Sequence, residues 1–540
     1  MQEFERPKGS VFGGIFFGAA LVAVGFAGCG TKSENTGFNN ANSTGFGASS
    51  SGGQTDGASD DGTSANLGFG DDSGGISLAL DGEAPDRAPP PVSCKLPGLW
   101  CYQTVAPCTT SLSGTVFDPA GQVPLSGILV YAVADPSKPL DKITQGTKSC
   151  SACTTSVSNY MALAVTDAKG HFSMAGVPAT TSVPIVVQAG KWRREVQLSS
   201  VTKCQGNAVK DGTLRLPAKK SEGDMPEIAL LTGGCDDMAC FLMNVGIDPT
   251  EFGAPHAGGR VDVYQGNSMP FGIGAAGPGL SNGTPGNCTN TSCPLWANKA
   301  GFEFYDMALL SCQCSEMTNV SETPAGYTAL HDWLNEGGKV FASHYHYTWF
   351  KNNPDPKWVA TAQWLGSSIA GGSGTEDVDV SFPKGQALST WLGNVGALNG
   401  TNTIALTNFA ASVGTVNTTT TQRWIYDPNS ASVPEAGTVS SETKYMSFLT
   451  PIGGTTMPAD GGSGESVVYC GKAVFTDLHT SSGLLATAMN VPGDCKKAAL
   501  TAQQKALEYL FFDLAACVAP EDKPPPMPPP NPPPPPPPPM

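Results

Sequence analysis

The sequence predicts two folded regions of different class, a β-sandwich at about residues 94–217 and a doubly wound parallel α/β region at about residues 225–518. Three observations support this division. Short alternating strands with turn residues fill the first region, and apolar strands alternate with helical periodicity in the second. Outside both regions, residues 29–93 and 519–540 contain almost no large apolar side chains, so neither end can build a core.

The first region contains several short segments with period-two alternation. Residues 113–117 lead into an Asp-Pro-Ala-Gly turn, residues 125–133 form a second strand, and residues 162–174 are predicted to form a hairpin. Alternation then continues through residues 183–198. Many short strands separated by turns are typical of a β-sandwich.

Two segments of this region resemble the carboxypeptidase regulatory-like domain. They are residues 114–130, Gly-Thr-Val-Phe-Asp-Pro-Ala-Gly-Gln-Val-Pro-Leu-Ser-Gly-Ile-Leu-Val, and residues 166–172, Thr-Asp-Ala-Lys-Gly-His-Phe. The resemblance implies a seven-stranded, transthyretin-like sandwich that acts as a spacer or a binding platform. It does not imply peptidase activity, because none of the six histidines is followed three residues later by the glutamate of the H-x-x-E zinc motif.

The second region alternates apolar strands with helical segments. Its first strand ends at Thr232-Gly-Gly and is followed by a helix that stops at Gly246. We expect strands at residues 227–231, 261–264, 305–311, 339–343 and 472–476, and further helices at residues 327–336 and 501–517. This alternation predicts a parallel, doubly wound sheet. Residues 351–470 are polar and rich in Gly and Thr, which indicates insertions or an irregular cap.

Several potential metal ligands follow the predicted strands of the second region, and ligands of open α/β sheets bind at such carboxyl ends. These side chains are Cys312, Cys314, His344, His346, Asp477 and His479. Their sulfur and nitrogen atoms suit zinc or copper, and Asp477 or His479 completes or supports the ligand shell. A metal-free hydrolytic site is one alternative. The structural alternative places both cysteines in disulfides with Cys235 and Cys240, and both histidines in hydrogen bonds among neighbouring aromatic residues.

The order of these parts resembles the class I glutamine amidotransferase-like superfamily. The matching positions are Tyr305-Asp306 on a strand, His344 where the family has its cysteine nucleophile, and His479 after a late strand, with Ser481 in place of the orienting glutamate. The resemblance implies a degenerate member, closer to trehalose-utilisation-like proteins than to glutaminases. Because glutaminase chemistry needs a thiolate beside an oriented imidazole, we expect no glutaminase activity.

The N-terminus predicts export. Residues 11–26 carry no charge, follow Arg6 and Lys8, and are shorter than the roughly 20 apolar residues of a membrane span. Residues 1–28 are therefore predicted to be a signal peptide. Cys29, which follows Ala-Gly, resembles the lipobox cysteine of bacterial lipoproteins; this implies cleavage before Cys29, its lipidation and sorting to the outer membrane. Residues 29–93 are expected to be a disordered tether.

Sixteen cysteines indicate an oxidising compartment. Fifteen remain once Cys29 is lipidated, and this odd number predicts at least one thiol outside intramolecular disulfides. Cys288 and Cys293 are expected to close a loop. Six cysteines of the first region can form three bridges: Cys94, Cys101, Cys108, Cys150, Cys153 and Cys204. The formal net charge of −16 argues against a nucleic-acid partner, which favours a basic protein surface.

The C-terminal residues 523–540 contain fourteen prolines, which predicts a polyproline II rod. A spacer is its favoured role; the alternatives are a segment that threads cell-wall material and a ligand for a proline-binding groove. Two hypotheses for function follow. The favoured one is a non-catalytic lipoprotein, anchored to the membrane in the cell envelope, that displays binding domains for a glycan, peptidoglycan or another envelope protein and has no cofactor. The alternative is a metal-dependent or hydrolytic enzyme that uses the six cysteine, histidine and aspartate residues named above.

Overall fold

The structure is a computed structural model, and the residues that it describes are 94–104, 108–146, 150, 157–267, 280, 283–366, 372–429, 431–433, 437–458, 465–480, 493–516, 518–523 and 531–537. The predicted signal peptide, Cys29 and the tether lie outside these residues, as do Cys153, Ser481 and Cys517. Within the described part of the chain, no helix has the length and apolar character that a membrane span requires.

Seven strands of the first region form two sheets, β4-β1-β7 and β3-β2-β5-β6. Apolar side chains from both sheets, such as Leu112 and Ile185, are buried in one core. The strands are β1 Ser111–Thr115, β2 Leu129–Val133, β3 Tyr160–Val165, β4 His171–Ala175, β5 Thr181–Ala189, β6 Trp192–Ser200 and β7 Gly206–Ala208. The hairpin predicted at residues 162–174 is wrong, because β3 and β4 belong to different sheets. Alternation identifies a strand but does not identify its partner.

The described strands of the second region are β8 Ile228–Leu231, β9 Phe252–Gly253, β10 Val261–Gln265, β11 Gly286–Asn287, β12 Met307–Leu310, β13 Lys339–Ser343, β14 Ala362–Trp364, β15 Gly372–Val378, β16 Thr403–Phe409, β17 Val413–Val416, β18 Thr421–Asp427, β19 Ala431–Val433, β20 Gly437–Val439, β21 Glu442–Thr450, β22 Thr455–Pro458, β23 Glu465–Val468 and β24 Gly471–Thr476. The α-helices in the same part of the chain are α1 Met238–Val245, α2 Lys299–Phe302, α3 Pro324–Asn335, α4 Thr348–Lys351, α5 Pro356–Val359, α6 Pro383–Asn394 and α7 Ala502–Ala515.

Five of these strands lie parallel and adjacent in the order β10, β8, β12, β13, β24. Counted along the chain, this order is 2-1-3-4-5, one of the two common orders of doubly wound sheets. Both faces of the sheet are buried. Leu230 and Leu309 pack into the core that contains α1 and α7, whereas Leu231 and Leu310 pack into the core that contains α3. The positions of these five strands agree with a partly α/β fold.

The described residues between 351 and 470 include an ordered extension of the sheet, and not only the irregular cap that their polarity indicates. Strands β21, β18, β15 and β16 continue the sheet beyond β24 in antiparallel pairing. In β16, Ile404 and Leu406 are buried, whereas Ala405 between them and Thr407 after them are exposed. The threonines that resemble loop residues in composition are β-branched and fit the pleated surface of a strand. The insertion therefore enlarges the sheet.

The helices begin and end at recognisable capping residues. Helix α1 stops at Gly246, which has a φ of 109° and adopts the left-handed conformation, as predicted. Thr501 caps α7 through its side chain and forms a capping box with Gln504. Helix α3 begins earlier than predicted, because Thr323 caps it and Pro324 occupies its first position.

The two predicted regions share a hydrophobic core and belong to one compact unit. Trp192 of β6 is completely buried against Phe511 and Phe512 of α7, with ring centroids 5.8 and 5.6 Å away. Its indole N–H donates to the carbonyl of Pro217 at 3.0 Å. The sandwich therefore packs on the same face of the parallel sheet as α7.

Six disulfides link described cysteines: Cys94–Cys101, Cys108–Cys204, Cys150–Cys470, Cys235–Cys314, Cys240–Cys495 and Cys288–Cys293. The short Cys288–Cys293 loop is confirmed. The expectation of three bridges inside the first region is wrong, because Cys150 crosses to Cys470 in the second. Cys312 is a free, buried thiol. This number of disulfides is typical of an extracellular or envelope protein and not of a cytoplasmic one.

Candidate metal centre

Three parallel strands bring cysteine and histidine side chains to one edge of the sheet. Strand β12 is followed by Ser311 and Cys312, β13 by His344, and β24 by Asp477, Leu478 and His479. Because β12, β13 and β24 are adjacent and parallel, their carboxyl ends lie side by side. From β8 the chain continues to β10 on one side and to β12 on the other, so the order of strands changes direction between β8 and β12. Ligands of open α/β sheets bind in the crevice at the carboxyl ends of strands where this change occurs.

Cys312, His344 and His479 form a buried cluster in which their three ligand atoms all lie within 4.8 Å of one another. The Sγ of Cys312 is 3.5 Å from Nδ1 of His344, and that nitrogen is 3.2 Å from Nε2 of His479. All three side chains are 1% exposed or less. One sulfur and two imidazole nitrogens form a donor set that zinc and copper prefer. This cluster can therefore hold a metal ion.

The ring of His479 is oriented by a backbone carbonyl. Its Nδ1–H donates to the carbonyl of Cys235 at 2.8 Å. In the neutral imidazole this leaves the lone pair of Nε2 facing the cluster. Metal-binding histidines commonly have such a hydrogen bond, which sets the tautomer and the ring angle.

His344 lies at the sharp turn that follows β13. Its φ is 43°, a left-handed conformation that is uncommon for a residue with a side chain. The ring of Tyr345 lies against the imidazole, with ring centroids 3.9 Å apart. The turn directs the imidazole into the cluster. A residue in a rarely populated backbone conformation at a strand end is a frequent feature of functional sites.

Asp236 connects the two histidine-bearing segments. One carboxylate oxygen accepts a hydrogen bond from the Ser343 hydroxyl at 2.5 Å, and the other accepts from the Thr480 backbone N–H at 2.7 Å. Ser343 precedes His344 in the chain and Thr480 follows His479. Asp236 therefore holds both turns in a fixed relation. Nearby, any side chain at Gly233 would collide with the Cys312 carbonyl, so glycine permits the close approach of these loops.

The other three predicted site residues lie outside the cluster. Cys314 is bonded to Cys235, in line with the structural alternative. The Nε2–H of His346 donates to the Ser311 carbonyl at 2.9 Å, and its Nδ1 accepts from the Trp349 indole at 3.0 Å.

Asp477 is also directed away from the cluster. It accepts a hydrogen bond from the Ser412 N–H at 2.7 Å. Burial raises the pKa of Asp477 to about 6, although the Ser412 hydrogen bond and the charge of Lys444 oppose this effect. Asp477 thus supports a neighbouring loop, and Asp236 is the aspartate that links the histidine turns.

The thiol of Cys312 is not an activated nucleophile by itself. Burial raises its pKa well above the ordinary value, and the carboxylate of Asp236 adds to this effect. A protonated, desolvated thiol is inert toward carbonyl groups. A metal cation would reverse the balance, since cations stabilise the thiolate that coordinates them. The chemistry that this arrangement allows is metal coordination.

A cleft lies beside the centre and is lined in part by His479. Its described walls include Phe241, Asn244, Thr407 and Gln503. The side-chain amide of Gln503 also donates to the His479 carbonyl at 2.6 Å. The cleft thus borders His479, whose side chain is buried.

The site residues predicted from the sequence do not include Asp236. Its position in Thr-Gly-Gly-Cys-Asp, directly after β8, places it at the same sheet edge as the other strand ends. A carboxylate at that position can accept hydrogen bonds from the neighbouring turns, which is its role here.

No protein-family model matches this chain, and no curated protein matches it in sequence. Among solved structures, a putative ThuA-like protein from Bacteroides uniformis aligns with 53% of this chain and 89% of its own, at 10% identity and a TM-score of 0.26. Two chains from interface mutants of a type II cohesin–X-dockerin complex of Acetivibrio cellulolyticus align with 27% and 28% of this chain and 75% and 88% of theirs, at 15% and 16% identity and TM-scores of 0.13 and 0.15. TM-scores this low carry no argument about this chain.

Proposed function

We propose that this chain is an exported envelope lipoprotein that binds a zinc or copper(I) ion through Cys312, His344 and His479. The observation that carries the proposal is the convergence of one sulfur and two nitrogen atoms from three adjacent strand ends. The bound ion stabilises the junction of these strands. Around it, the sandwich and the enlarged sheet provide surfaces for a glycan, peptidoglycan or envelope-protein ligand.

Two of the three separations between the ligand atoms match tetrahedral zinc. Bonds of about 2.3 Å to sulfur and about 2.0–2.1 Å to nitrogen, at tetrahedral angles, place sulfur and nitrogen about 3.5 Å apart and two nitrogens about 3.4 Å apart. Nδ1 of His344 lies 3.5 Å from Sγ of Cys312 and 3.2 Å from Nε2 of His479, and the remaining pair, Sγ of Cys312 and Nε2 of His479, lies within 4.8 Å. Copper(I) is the alternative ion, because a thiolate and two imidazoles suit a soft cation.

The resemblance to glutamine amidotransferase-like proteins is part of the proposal. The 2-1-3-4-5 strand order and the left-handed turn at His344 support it, since a nucleophile elbow is a similar strained turn after a strand. An imidazole occupies that turn, so we propose a family member without glutaminase activity. Likewise, seven strands in sheets of three and four support a carboxypeptidase regulatory-like sandwich.

A metal-dependent hydrolase is the second candidate function. The cleft that borders His479 favours it, because catalytic zinc sites have three protein ligands and leave a fourth position for water. The low exposure of all three ligands favours a held ion instead.

Metal content tests the proposal. We expect about one equivalent of zinc or copper in the purified mature protein, measured by elemental analysis. A His344→Ala/His479→Ala variant should lose it, whereas His171→Ala, which removes an exposed histidine of β4, should retain it. Cobalt substitution adds a spectroscopic readout, since the thiolate-to-cobalt band should disappear in Cys312→Ser. A protein that contains no metal and takes up none when supplied with zinc or copper(I), or metal retained by the double variant, would contradict the proposal.

Membrane attachment is tested separately through Cys29. We expect wild-type protein in the membrane fraction and Cys29→Ser in the soluble envelope fraction, because lipid chains on Cys29 provide the anchor. Cys204→Ser, which removes a cysteine of the disulfide-bonded sandwich, is the matched control and should stay with the membrane. Retention of Cys29→Ser in the membrane fraction would argue against lipidation at this residue.

A further inference from the structure

The proline-rich tail makes specific contacts with the sandwich. Asn531 is the only residue between positions 528 and 539 that is not proline. Its side-chain oxygen accepts a hydrogen bond from the Leu163 backbone N–H at 3.2 Å, and its side-chain nitrogen donates to the Ala175 carbonyl at 3.0 Å. Leu163 lies on β3 and Ala175 on β4, which are outer strands of the two sheets. One amide group thus joins the edges of both sheets.

The prolines after Asn531 show a periodic pattern of burial. Pro532 and Pro535 are partly buried, while the other residues from 531 to 537 are exposed. A polyproline II helix has three residues per turn, so residues three apart lie on one face. The pattern indicates that one face of such a helix lies against the sandwich.

The chemistry of proline explains why a single asparagine matters. An outer strand presents unpaired N–H and C=O groups that another segment can pair with. Proline has no N–H and cannot donate to a strand edge. An asparagine side chain supplies one donor and one acceptor, and here it satisfies a group on each sheet. Its position along the prolines also determines the register in which they lie.

We propose that the sandwich edge formed by β3 and β4 is a binding groove for a proline-rich segment, that residues 531–537 of the same chain occupy it, and that Asn531 determines the specificity of this contact. The tail is then a docked ligand and not a free spacer. This inference is independent of the metal centre and goes beyond the proposed function.

Hydrogen exchange at the Leu163 amide tests the docking directly. The experiment compares the full mature chain with its Asn531→Ala and Pro533→Ala variants, at single-residue resolution. Asn531→Ala removes the acceptor of this N–H, so we expect exchange at Leu163 to become about fivefold faster. Pro533→Ala changes an exposed proline and should leave the rate unchanged. Equal rates in wild type and Asn531→Ala would overturn the proposal.

A synthetic peptide of residues 526–537 tests recognition by the groove. Added at millimolar concentration to the Asn531→Ala protein, it should restore slow exchange at Leu163, and the same peptide with alanine at position 531 should not. Failure of the asparagine peptide to restore protection would overturn recognition of the segment. Analytical sedimentation shows whether the bound tail belongs to the same chain or to a second copy. A monomeric wild type supports the intrachain contact. A wild-type dimer that dissociates in Asn531→Ala would mean that the groove binds the tail of a second copy.

Discussion

At the scale of single residues, the candidate centre depends on a carboxylate that is not one of its three metal ligands. Asp236 accepts hydrogen bonds from Ser343 and Thr480, the neighbours in sequence of His344 and His479. A buried carboxylate that bonds to two turns keeps their imidazoles at a constant separation. Residues in this supporting position commonly determine how tightly a metal is held.

Asp236→Asn should therefore weaken metal binding without removing a ligand. The asparagine amide can accept from one turn only, because its NH₂ group faces the donors of the other. We expect the Kd for zinc to rise about tenfold, measured by competition with a chelator. Asp332→Asn, which changes an exposed carboxylate on α3, is the control and should leave the Kd unchanged. An unaltered Kd in Asp236→Asn would show that this contact does not position the histidines.

At the scale of elements, the sequence places Cys312, His344 and His479 near one another because carboxyl ends of parallel strands meet at one edge. The sequence does not predict which cysteine of Cys312 and Cys314, or which histidine of His344 and His346, points into the cluster. Residues two apart share a face only while the chain remains a strand. Cys314 has a φ of 67°, and residues 344–347 form a 3-10 helix. Both segments leave strand geometry, so Cys314 and His346 point elsewhere.

The same limit applies to the strands themselves. Periodicity and capping residues predict the five parallel strands and α7, because those segments are apolar on both faces or have one apolar stripe. They do not predict the pairing of β3 and β4 with different sheets, or the ordered sheet at residues 351–470. In β16 and β21, partner strands provide the burial that the local sequence only partly indicates.

At the scale of the whole molecule, the sandwich and the α/β region are joined through buried contacts. Asp118 follows β1 in the sandwich, and Glu508 lies on α7. Both side chains are completely buried, and burial is the largest cause of the raised pKa of each. Asp118 raises the pKa of Glu508 further, through its charge and a hydrogen bond, whereas the hydrogen bond with Glu508 lowers the pKa of Asp118. No donor among the described residues reaches Oδ2 of Asp118 or either carboxyl oxygen of Glu508. A proton on Glu508 supplies the missing donor between the two carboxyl groups.

This pair should make the junction less stable as pH rises. Burial raises the pKa of Asp118 from 3.8 to about 6, against the opposing hydrogen bonds from Gln122 and Val123. Burial and the charge of Asp118 raise the pKa of Glu508 well above its ordinary value. A carboxyl group with a raised folded-state pKa binds its proton more tightly in the folded protein than in the unfolded one. Such a group therefore contributes fully to the free energy of unfolding below about pH 4, and this contribution is lost as pH rises through the folded-state pKa. For Asp118 the loss is roughly 3 kcal/mol.

Glu508→Gln tests this directly, because glutamine keeps the donor to Asp118 and removes the second titrating group. We expect unfolding measurements from pH 4 to pH 8 to show wild type losing stability relative to Glu508→Gln as pH rises. Glu303→Gln, which removes an exposed carboxylate, should follow the wild-type curve. Parallel curves for wild type and Glu508→Gln would mean that the two carboxyl groups do not share a proton. The expected divergence would instead show that the sandwich and α7 are held together by a contact that requires that proton.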